Sequence, residues 1–126
     1  MTITVKDIVE NIDFFQKLAK QSMPARTAFK LGRMLRQVTD EYNTFQTARR
    51  SLFEHYAVRD ENGQIKVDEN GNYIIANEDI AAVNKEILDL LMTEVTITCD
   101  PLSLNEIEDM MFTPGEMSVF KNFIEE

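Results

Sequence analysis

Apolar residues recur at helical spacing along most of the chain, and polar positions separate them into predicted helices. Ile8, Ile12 and Phe15 step by four and three residues, which predicts a first helix over residues 6–21. A proline that fits the first turn of a helix comes next, and no further proline interrupts the following apolar pattern. We therefore expect a second helix over residues 24–56, roughly 50 Å long at a rise of 1.5 Å per residue.

The second helix carries the most regular apolar pattern of the chain. Six residues alternate between steps of three and four: Ala28, Leu31, Leu35, Val38, Tyr42 and Phe45. This heptad spacing is typical of a helix that packs lengthwise against another helix. A helix of this length projects beyond the core of a 126-residue chain, so we expect these six residues to form an oligomer seam.

After the second helix the pattern changes to turns and short extended runs. The sequence Asp-Glu-Asn-Gly occurs at 60–63 and again at 68–71, and a strand-like run follows each copy. Asn-Gly is a strong signal for a tight turn, so we expect a β-hairpin over residues 60–76. A calcium-binding loop is the alternative, but in a loop that starts at Asp68 the required glycine falls on Tyr73.

The next elements complete a mainly helical plan. Asn77 is a candidate N-cap for a helix over residues 77–92, which we expect to return along the long helix. Alternating residues at 94–98 predict a strand that pairs with residues 2–5. The predicted fold is α+β, mainly α: a long antiparallel helical hairpin with a β-hairpin at its tip. Its small base consists of short helices and one or two short strands, within a single domain over residues 1–126.

Two capping boxes mark the end of the chain. Ser103 stands three residues before Glu106, and Thr113 stands three residues before Glu116. In this motif the hydroxyl and the carboxylate satisfy the first backbone N–H groups of a helix reciprocally. We therefore expect two short acidic helices within residues 103–125.

Charge narrows the choice of partners. Thirteen basic and 22 acidic residues give a net charge of −9, which disfavours general binding to nucleic acid. The first sixty residues carry ten basic and seven acidic side chains, so the excess of acidic residues lies in the second half of the chain. No window approaches the roughly 18 apolar residues of a membrane span. We expect a cytoplasmic protein that does not bind membranes.

The residues that catalysis uses are scarce. His55 and Cys99 are the single histidine and the single cysteine, and they are far apart in the predicted fold. One residue of each kind forms neither a disulfide framework nor a zinc site. No glycine-rich phosphate loop is present, since Gly32 stands alone within the second helix pattern. We therefore expect no enzyme activity, no metal site and no cofactor.

The second helix also carries basic residues on the face opposite the seam. We call four of them the basic stripe: Arg26, Lys30, Arg33 and Arg36. Arginine forks match phosphate and carboxylate geometry, so the stripe is a candidate site for a phosphate-bearing ligand or an acidic protein. The alternative is a solvated helix face, covered in part by the acidic end of the same chain.

Arg49 has two interpretations of its own. If the heptad continues from Phe45, Arg49 lies on the seam, where a buried charge needs a partner and can specify register. If the apolar face follows ordinary helical periodicity through Ala48, Arg49 lies at its margin. Together with the adjoining Arg50 it is a candidate anion-binding or partner-binding residue.

Two stretches of sequence, in this order of elements, resemble a family of small bacteriophage-encoded proteins. The first stretch is Met-Pro-Ala-Arg-Thr-Ala-Phe-Lys-Leu-Gly-Arg-Met-Leu from Met23, and the second is Glu-Tyr-Asn-Thr-Phe-Gln-Thr-Ala-Arg-Arg-Ser-Leu-Phe-Glu-His-Tyr from Glu41. The resemblance covers most of the chain, and its motifs are helix-packing patterns. It implies a viral origin and location in the host cytoplasm, and it assigns no residue a catalytic role.

These observations predict a non-enzymatic binding protein. It oligomerises through the long helix and binds a host or viral component as an inhibitor or adaptor. One alternative is a sponge that sequesters an anionic signalling nucleotide in a basic pocket between subunits and so counters host defence. Another is a structural or assembly accessory of the virion.

Overall fold

Helices dominate the computed structural model, which describes residues 2–98, 100 and 102–124. One small antiparallel sheet of two strands accompanies them. In chain order the elements are β1 (Thr2–Thr4), α1 (Val5–Glu10), α2 (Ile12–Ala19), α3 (Ala25–Tyr56), α4 (Asn77–Leu91), β2 (Glu94–Thr96), α5 (Leu104–Ile107), α6 (Pro114–Phe120) and a 3-10 helix (Lys121–Phe123). The mainly α, α+β class and the long second helix agree with the sequence prediction, while the antiparallel arrangement of α3 and α4 stays a prediction.

The residues group into two compact units, where we expected a single domain. Unit 1 comprises Met1–Tyr42 and Thr93–Glu126, and unit 2 comprises Asn43–Met92. The boundary between Tyr42 and Asn43 lies inside α3, so one continuous helix contributes to both units.

Unit 1 contains a deep hydrophobic core. β1 pairs with β2, with Ile3 opposite Val95, which confirms the predicted pairing of the two short strands. Phe120 is fully buried, and its ring centroid lies 6.0 Å from that of Phe14 and 5.2 Å from that of Phe112. These spacings are those of favourable aromatic pairs. The core is made of these residues: Ile3, Ile8, Phe14, Phe15, Leu18, Leu31, Met34, Leu35, Val38, Ile97, Leu102, Ile107, Phe120 and Phe123.

The predicted first helix over residues 6–21 is wrong in one respect, because the structure divides it. α1 ends at Glu10 and α2 begins at Ile12, with Asn11 between them at φ −115° and ψ 16°. The Asn11 side-chain Nδ2 donates to the carbonyl of Asp7 at 2.8 Å. An asparagine that bonds to nearby backbone competes with the helical hydrogen bonds, which explains the break.

Only one of the two predicted capping boxes forms. The Thr113 N–H donates to Glu116 Oε1 at 2.8 Å, and the Glu116 N–H donates to Thr113 Oγ1 at 3.1 Å, at the start of α6. Ser103 makes no side-chain cap at α5, which ends at Ile107. The last predicted residue of these helices, Glu125, lies outside the described residues.

The β-hairpin that we predicted over residues 60–76 agrees with the structure in part, since antiparallel bridges join the extended residues on either side of its turns. The structure adds that three extended segments form a closed ring of backbone hydrogen bonds through residues spaced eight apart. Val58 donates to the carbonyl of Ile74 at 2.8 Å, Lys66 donates to Val58 at 2.8 Å, and Ile74 donates to Lys66 at 3.3 Å. Three isolated antiparallel bridges flank the ring: Ala57 with Ile75, Arg59 with Ile65, and Val67 with Tyr73.

The repeated Asp-Glu-Asn-Gly sequence makes the two turns of this ring. Asp60 Oδ1 accepts hydrogen bonds from the backbone N–H groups of Asn62 and Gln64, at 2.8 and 3.0 Å, and Asp68 is used in the same way in the second turn. Gly63 and Gly71 have φ angles of 79° and 81°, a region that favours glycine. Local backbone bonding and backbone conformation therefore explain the aspartate and the glycine of each copy of the repeat.

α4 begins at Asn77, so Asn77 is not the N-cap that we predicted. Ala76 occupies the cap position, with φ −60° and ψ 142°, and no side chain caps the helix. Glu78 and Asp79 lie in the first turn, where negative charge favours a helix N-terminus. Acidic residues therefore take the place of the predicted cap.

Candidate binding site

The acidic end of the chain pairs with half of the basic stripe in unit 1. Lys30 Nζ lies 2.9 and 3.3 Å from the two carboxylate oxygens of Glu106, and Arg33 Nη1 lies 3.2 Å from Asp100 Oδ2. The interpretation of the stripe as a face partly covered by acidic residues therefore agrees with the structure at these two positions. Arg26 and Arg36 are exposed and make no ion pair with any residue that the structure describes.

The pair between Lys30 and Glu106 also explains the missing capping box at α5. Each of the two side chains is largely buried, with 16% and 24% of its surface exposed. The Glu106 carboxylate faces Lys30 instead of the backbone N–H of Ser103. A tertiary ion pair has replaced a local cap, which spacing along the sequence does not reveal.

The predicted oligomer seam lies mostly inside the chain's own core. Leu31, Leu35 and Val38 are buried among the core residues of unit 1. Phe45 is buried as well, Tyr42 is half-buried, and Ala28 is exposed because Thr27 takes the buried position beside it. These buried side chains are not on a surface that a second copy could reach.

Arg49 and Arg50 lie in unit 2, on a different face of α3. Both side chains are exposed, so Arg49 lies at the margin of the apolar face, as the second of its two interpretations predicted. The Arg49 guanidinium carbon lies 4.8 Å from the centre of the Phe53 ring, in cation–π geometry. Neither arginine makes an ion pair with a described residue.

These two arginines line a pocket of about 700 Å³, which we call the arginine pocket. Helical spacing places four of its residues on one face of α3, and the second turn of the ring supplies the other three. The lining residues are Gln46, Arg49, Arg50, Phe53, Gly71, Asn72 and Tyr73.

Hydrogen bonds fix the wall that the second turn provides. The Tyr73 hydroxyl donates to Glu54 Oε1 at 3.4 Å, which ties the turn to α3. Asp68 Oδ1 accepts from the N–H groups of Asn70 and Asn72, at 2.8 and 3.0 Å. The backbone on this side of the pocket is therefore held in place, while the two arginine side chains opposite are exposed.

A second groove lies between α3 and α4, on the other side of α3 in unit 2. Its volume is about 600 Å³, and it includes His55, Tyr56, Glu86 and Asp89. A hydrogen bond from Tyr56 to the Glu86 carboxylate, with burial and nearby negative charge adding to it, raises the pKa of Tyr56 above its ordinary value of 10.0. Cys99, the other residue considered for nucleophilic chemistry, lies outside the described residues.

α4 exposes large apolar side chains although one side of it is covered. Val83 is buried, but Leu88 and Met92 each expose 54% of their surface and Ile80 exposes 43%. At 100° per residue, the three exposed residues lie within an arc of roughly 120° on the helix. We call them the α4 apolar face.

Sequence reasoning identified Arg49 and Arg50 but missed the rest of the arginine pocket. Gln46, Arg49 and Phe53 are spaced by three and four residues, so a shared face could have been found from the helix alone. Asn72 and Tyr73 could not, because only the ring of three segments brings the second turn back to α3.

Comparison with known proteins gives no identification: neither a protein family, nor a curated protein, nor a solved structure matches the chain. The resemblance to phage proteins therefore stays a prediction. None of the helices in the described part of the chain has the length and apolar character that crossing a membrane requires. Across residues 2–98, 100 and 102–124, no three His, Cys, Asp or Glu side chains are grouped as metal ligands would be.

Proposed function

We propose that this protein is a non-enzymatic binding protein that self-associates through the α4 apolar face. The observation that carries the proposal is the exposure of Ile80 and Leu88 on α4 and of Met92, its C-cap residue. A contiguous exposed apolar patch is characteristic of an interaction surface, and these three side chains are the candidate contacts of such a patch. The host or viral partner implied by the sequence resemblance is part of the same proposal.

The small buried core of unit 2 supports this proposal. Of the fifty residues from 43 to 92, only Phe45, Ala57 and Val83 are buried. Units of this size bury a modest share of their surface and often gain stability by association. Covering the α4 apolar face removes apolar surface from water, and each Å² that is buried contributes about 25 cal/mol of stabilising free energy.

The occupant that fits best is a second copy of the chain. If burial of the α4 apolar face stabilises unit 2, a second copy of the same chain is a suitable partner, because it is present wherever the protein is synthesised. Two-fold symmetry sets the same patch of each copy against the other, so one apolar face is sufficient. This arrangement moves self-association from the buried seam of α3 to α4. It is compatible with the antiparallel pairing of α3 and α4 that the sequence predicts.

Sedimentation velocity at about 10–100 μM protein tests the proposal, since this range detects dimers of moderate affinity. We expect a species of twice the 14.6 kDa chain mass for the unmodified protein. The double variant Leu88→Gln, Met92→Gln removes apolar area but keeps residues that favour helices, so we expect it to sediment as a monomer.

Leu104 and Met111 provide a matched control in unit 1. They expose 57% and 83% of their surface, and we expect Leu104→Gln, Met111→Gln to leave the mass unchanged. A monomer for the unmodified protein, or the same dimer for the α4 variant, contradicts the proposal. Circular dichroism of each variant separates lost association from lost folding.

A further inference from the structure

We propose that the arginine pocket binds a nucleotide: a small ligand with both a phosphate group and a planar heterocyclic base. This site lies on a different face of α3 from the groove shared with α4, so the inference goes beyond the proposed self-association and does not depend on it. It also moves the candidate anion site from the basic stripe, where Lys30 and Arg33 are paired, to unit 2.

The two guanidinium groups supply the phosphate site. Arg49 and Arg50 are adjacent in α3, both are exposed, and neither pairs with an acidic side chain among the described residues. Two acidic side chains that hold the wall of the pocket have other partners: Asp68 accepts two backbone N–H bonds, and Glu54 accepts the Tyr73 hydroxyl. Arginine binds phosphate oxygens with two parallel hydrogen bonds, which favours this anion.

The rings and amides of the pocket supply the site for a base. Phe53 and Tyr73 both line it, and the Arg49 guanidinium already lies over the Phe53 ring at 4.8 Å. Aromatic rings and guanidinium planes stack on nucleobases, and the binding free energy from stacking depends little on which base is present. Gln46 and Asn72 add amide groups that both donate and accept hydrogen bonds, as the edge of a base requires.

The volume distinguishes a nucleotide from a bare anion. A pocket of about 700 Å³ lies within the range of sites for small molecules and cofactors, and is far larger than an inorganic phosphate needs. The fixed second turn lowers the cost of ordering one wall on binding. The same size is too small for an extended strand of nucleic acid, which the net charge of −9 also disfavours.

Isothermal titration calorimetry on the full chain tests the assignment. The probes are the 5′-diphosphates of adenosine, guanosine, cytidine and uridine, with pyrophosphate and adenosine as partial ligands. We expect at least one nucleotide to bind with a Kd below about 1 mM, and each partial ligand to bind at least about tenfold more weakly. Arg50→Gln is expected to weaken the nucleotide about tenfold or more, since it removes charge-assisted hydrogen bonds. Phe53→Leu is expected to weaken the nucleotide but leave pyrophosphate binding unchanged.

Arg26→Gln is the matched control, because Arg26 is an exposed arginine on the same helix, α3, but within unit 1. If Arg26→Gln and Arg50→Gln weaken nucleotide binding equally, the arginine pocket is not the binding site, because the ligand is then attracted to positive charge in general. If pyrophosphate binds as tightly as the best nucleotide, the pocket does not recognise a base. If none of the four nucleotides binds at about 1 mM, the whole proposal is wrong. Sedimentation of the same samples reports self-association separately, so the two proposals fail independently.

Discussion

Unit 1 and unit 2 use similar residues in opposite ways. Unit 1 buries sixteen of its described residues, among them the Phe14, Phe15, Phe120 and Phe123 rings, and pairs Lys30 and Arg33 with its own acidic end. Unit 2 buries three residues of fifty, leaves apolar side chains of α4 in water, and leaves Arg49 and Arg50 without ion pairs to described residues. Unit 1 therefore uses a larger share of its apolar and cationic side chains internally than unit 2 does, although Phe29, Leu104, Met111, Arg26 and Arg36 are exposed there as well.

The difference shows where stability and binding lie in this chain. A core of packed rings and branched side chains contributes stability through burial, whereas exposed apolar and cationic groups gain free energy only when a partner covers them. Structure within unit 2 depends more on local hydrogen bonds, such as the ring through Val58, Lys66 and Ile74. The comparison therefore predicts unequal effects of mutation in the two units.

The largest effect is expected at Phe120, at the centre of the unit 1 core. Phe120→Ala removes a fully buried ring and should destabilise the fold by about 3–5 kcal/mol. Val83→Ala, at the best-buried side chain of unit 2, removes two methyl groups of about 0.8 kcal/mol each and should cost about 2 kcal/mol. Urea unfolding of both variants measures the difference.

Phe29→Ala is the control for these two variants, because Phe29 is 67% exposed and its loss should change stability by less than about 0.5 kcal/mol. If Val83→Ala costs as much as Phe120→Ala, unit 2 has as deep a core as unit 1 and the contrast between the units is wrong.

Alanine substitutions of two glycines, one in each unit, are expected to change stability by an intermediate amount and in opposite directions. Gly32 lies in α3 with no atom within 4 Å of an added Cβ, so Gly32→Ala should stabilise the protein by about 0.5–1 kcal/mol. This open space also excludes the close helix approach that a lone glycine in a helix can indicate. Gly63 has a φ of 79°, so Gly63→Ala should destabilise the ring by about 1 kcal/mol.

Thermal unfolding of the two alanine variants checks both signs in one experiment. Stabilisation by Gly63→Ala would show that the first turn of unit 2 does not need its left-handed backbone. Destabilisation by Gly32→Ala would show that the surface above α3 is occupied in solution.

Periodicity predicted the parts of this fold that depend on local spacing. The long α3, the pairing of β1 with β2 and the Thr113 box all follow from patterns of three, four or two residues. Tertiary contacts decided the rest: Glu106 turns to Lys30 instead of capping α5, and Thr27 is buried in place of Ala28. The repeated turn sequence was recognised, but its closure into a ring depends on a hydrogen bond between Val58 and Ile74, which are far apart in the sequence.

The smallest effect is expected from the pH dependence of Glu116 in unit 1. Its hydrogen bond from the Thr113 backbone N–H, together with the charge of Lys17 at 3.5 Å, holds the pKa of Glu116 below its ordinary value of 4.5, although burial opposes them. A lowered pKa in the folded state means that the ionised carboxylate stabilises the fold. That contribution is complete above pH 4.5 and is lost as the pH falls through the lower folded pKa.

Glu116→Gln isolates this contribution, since glutamine can keep the capping hydrogen bond but does not titrate. We expect the unmodified protein to lose more stability than the variant when the pH falls from above 4.5 to well below it. Glu108, an exposed acidic residue of the same unit, provides the control variant Glu108→Gln, which should follow the unmodified protein. If the stability of Glu116→Gln and of the unmodified protein depends on pH in the same way, the ionised carboxylate of the capping box does not stabilise unit 1. The stability of unit 1 would then rest on its core and on the pairs of Lys30 and Arg33.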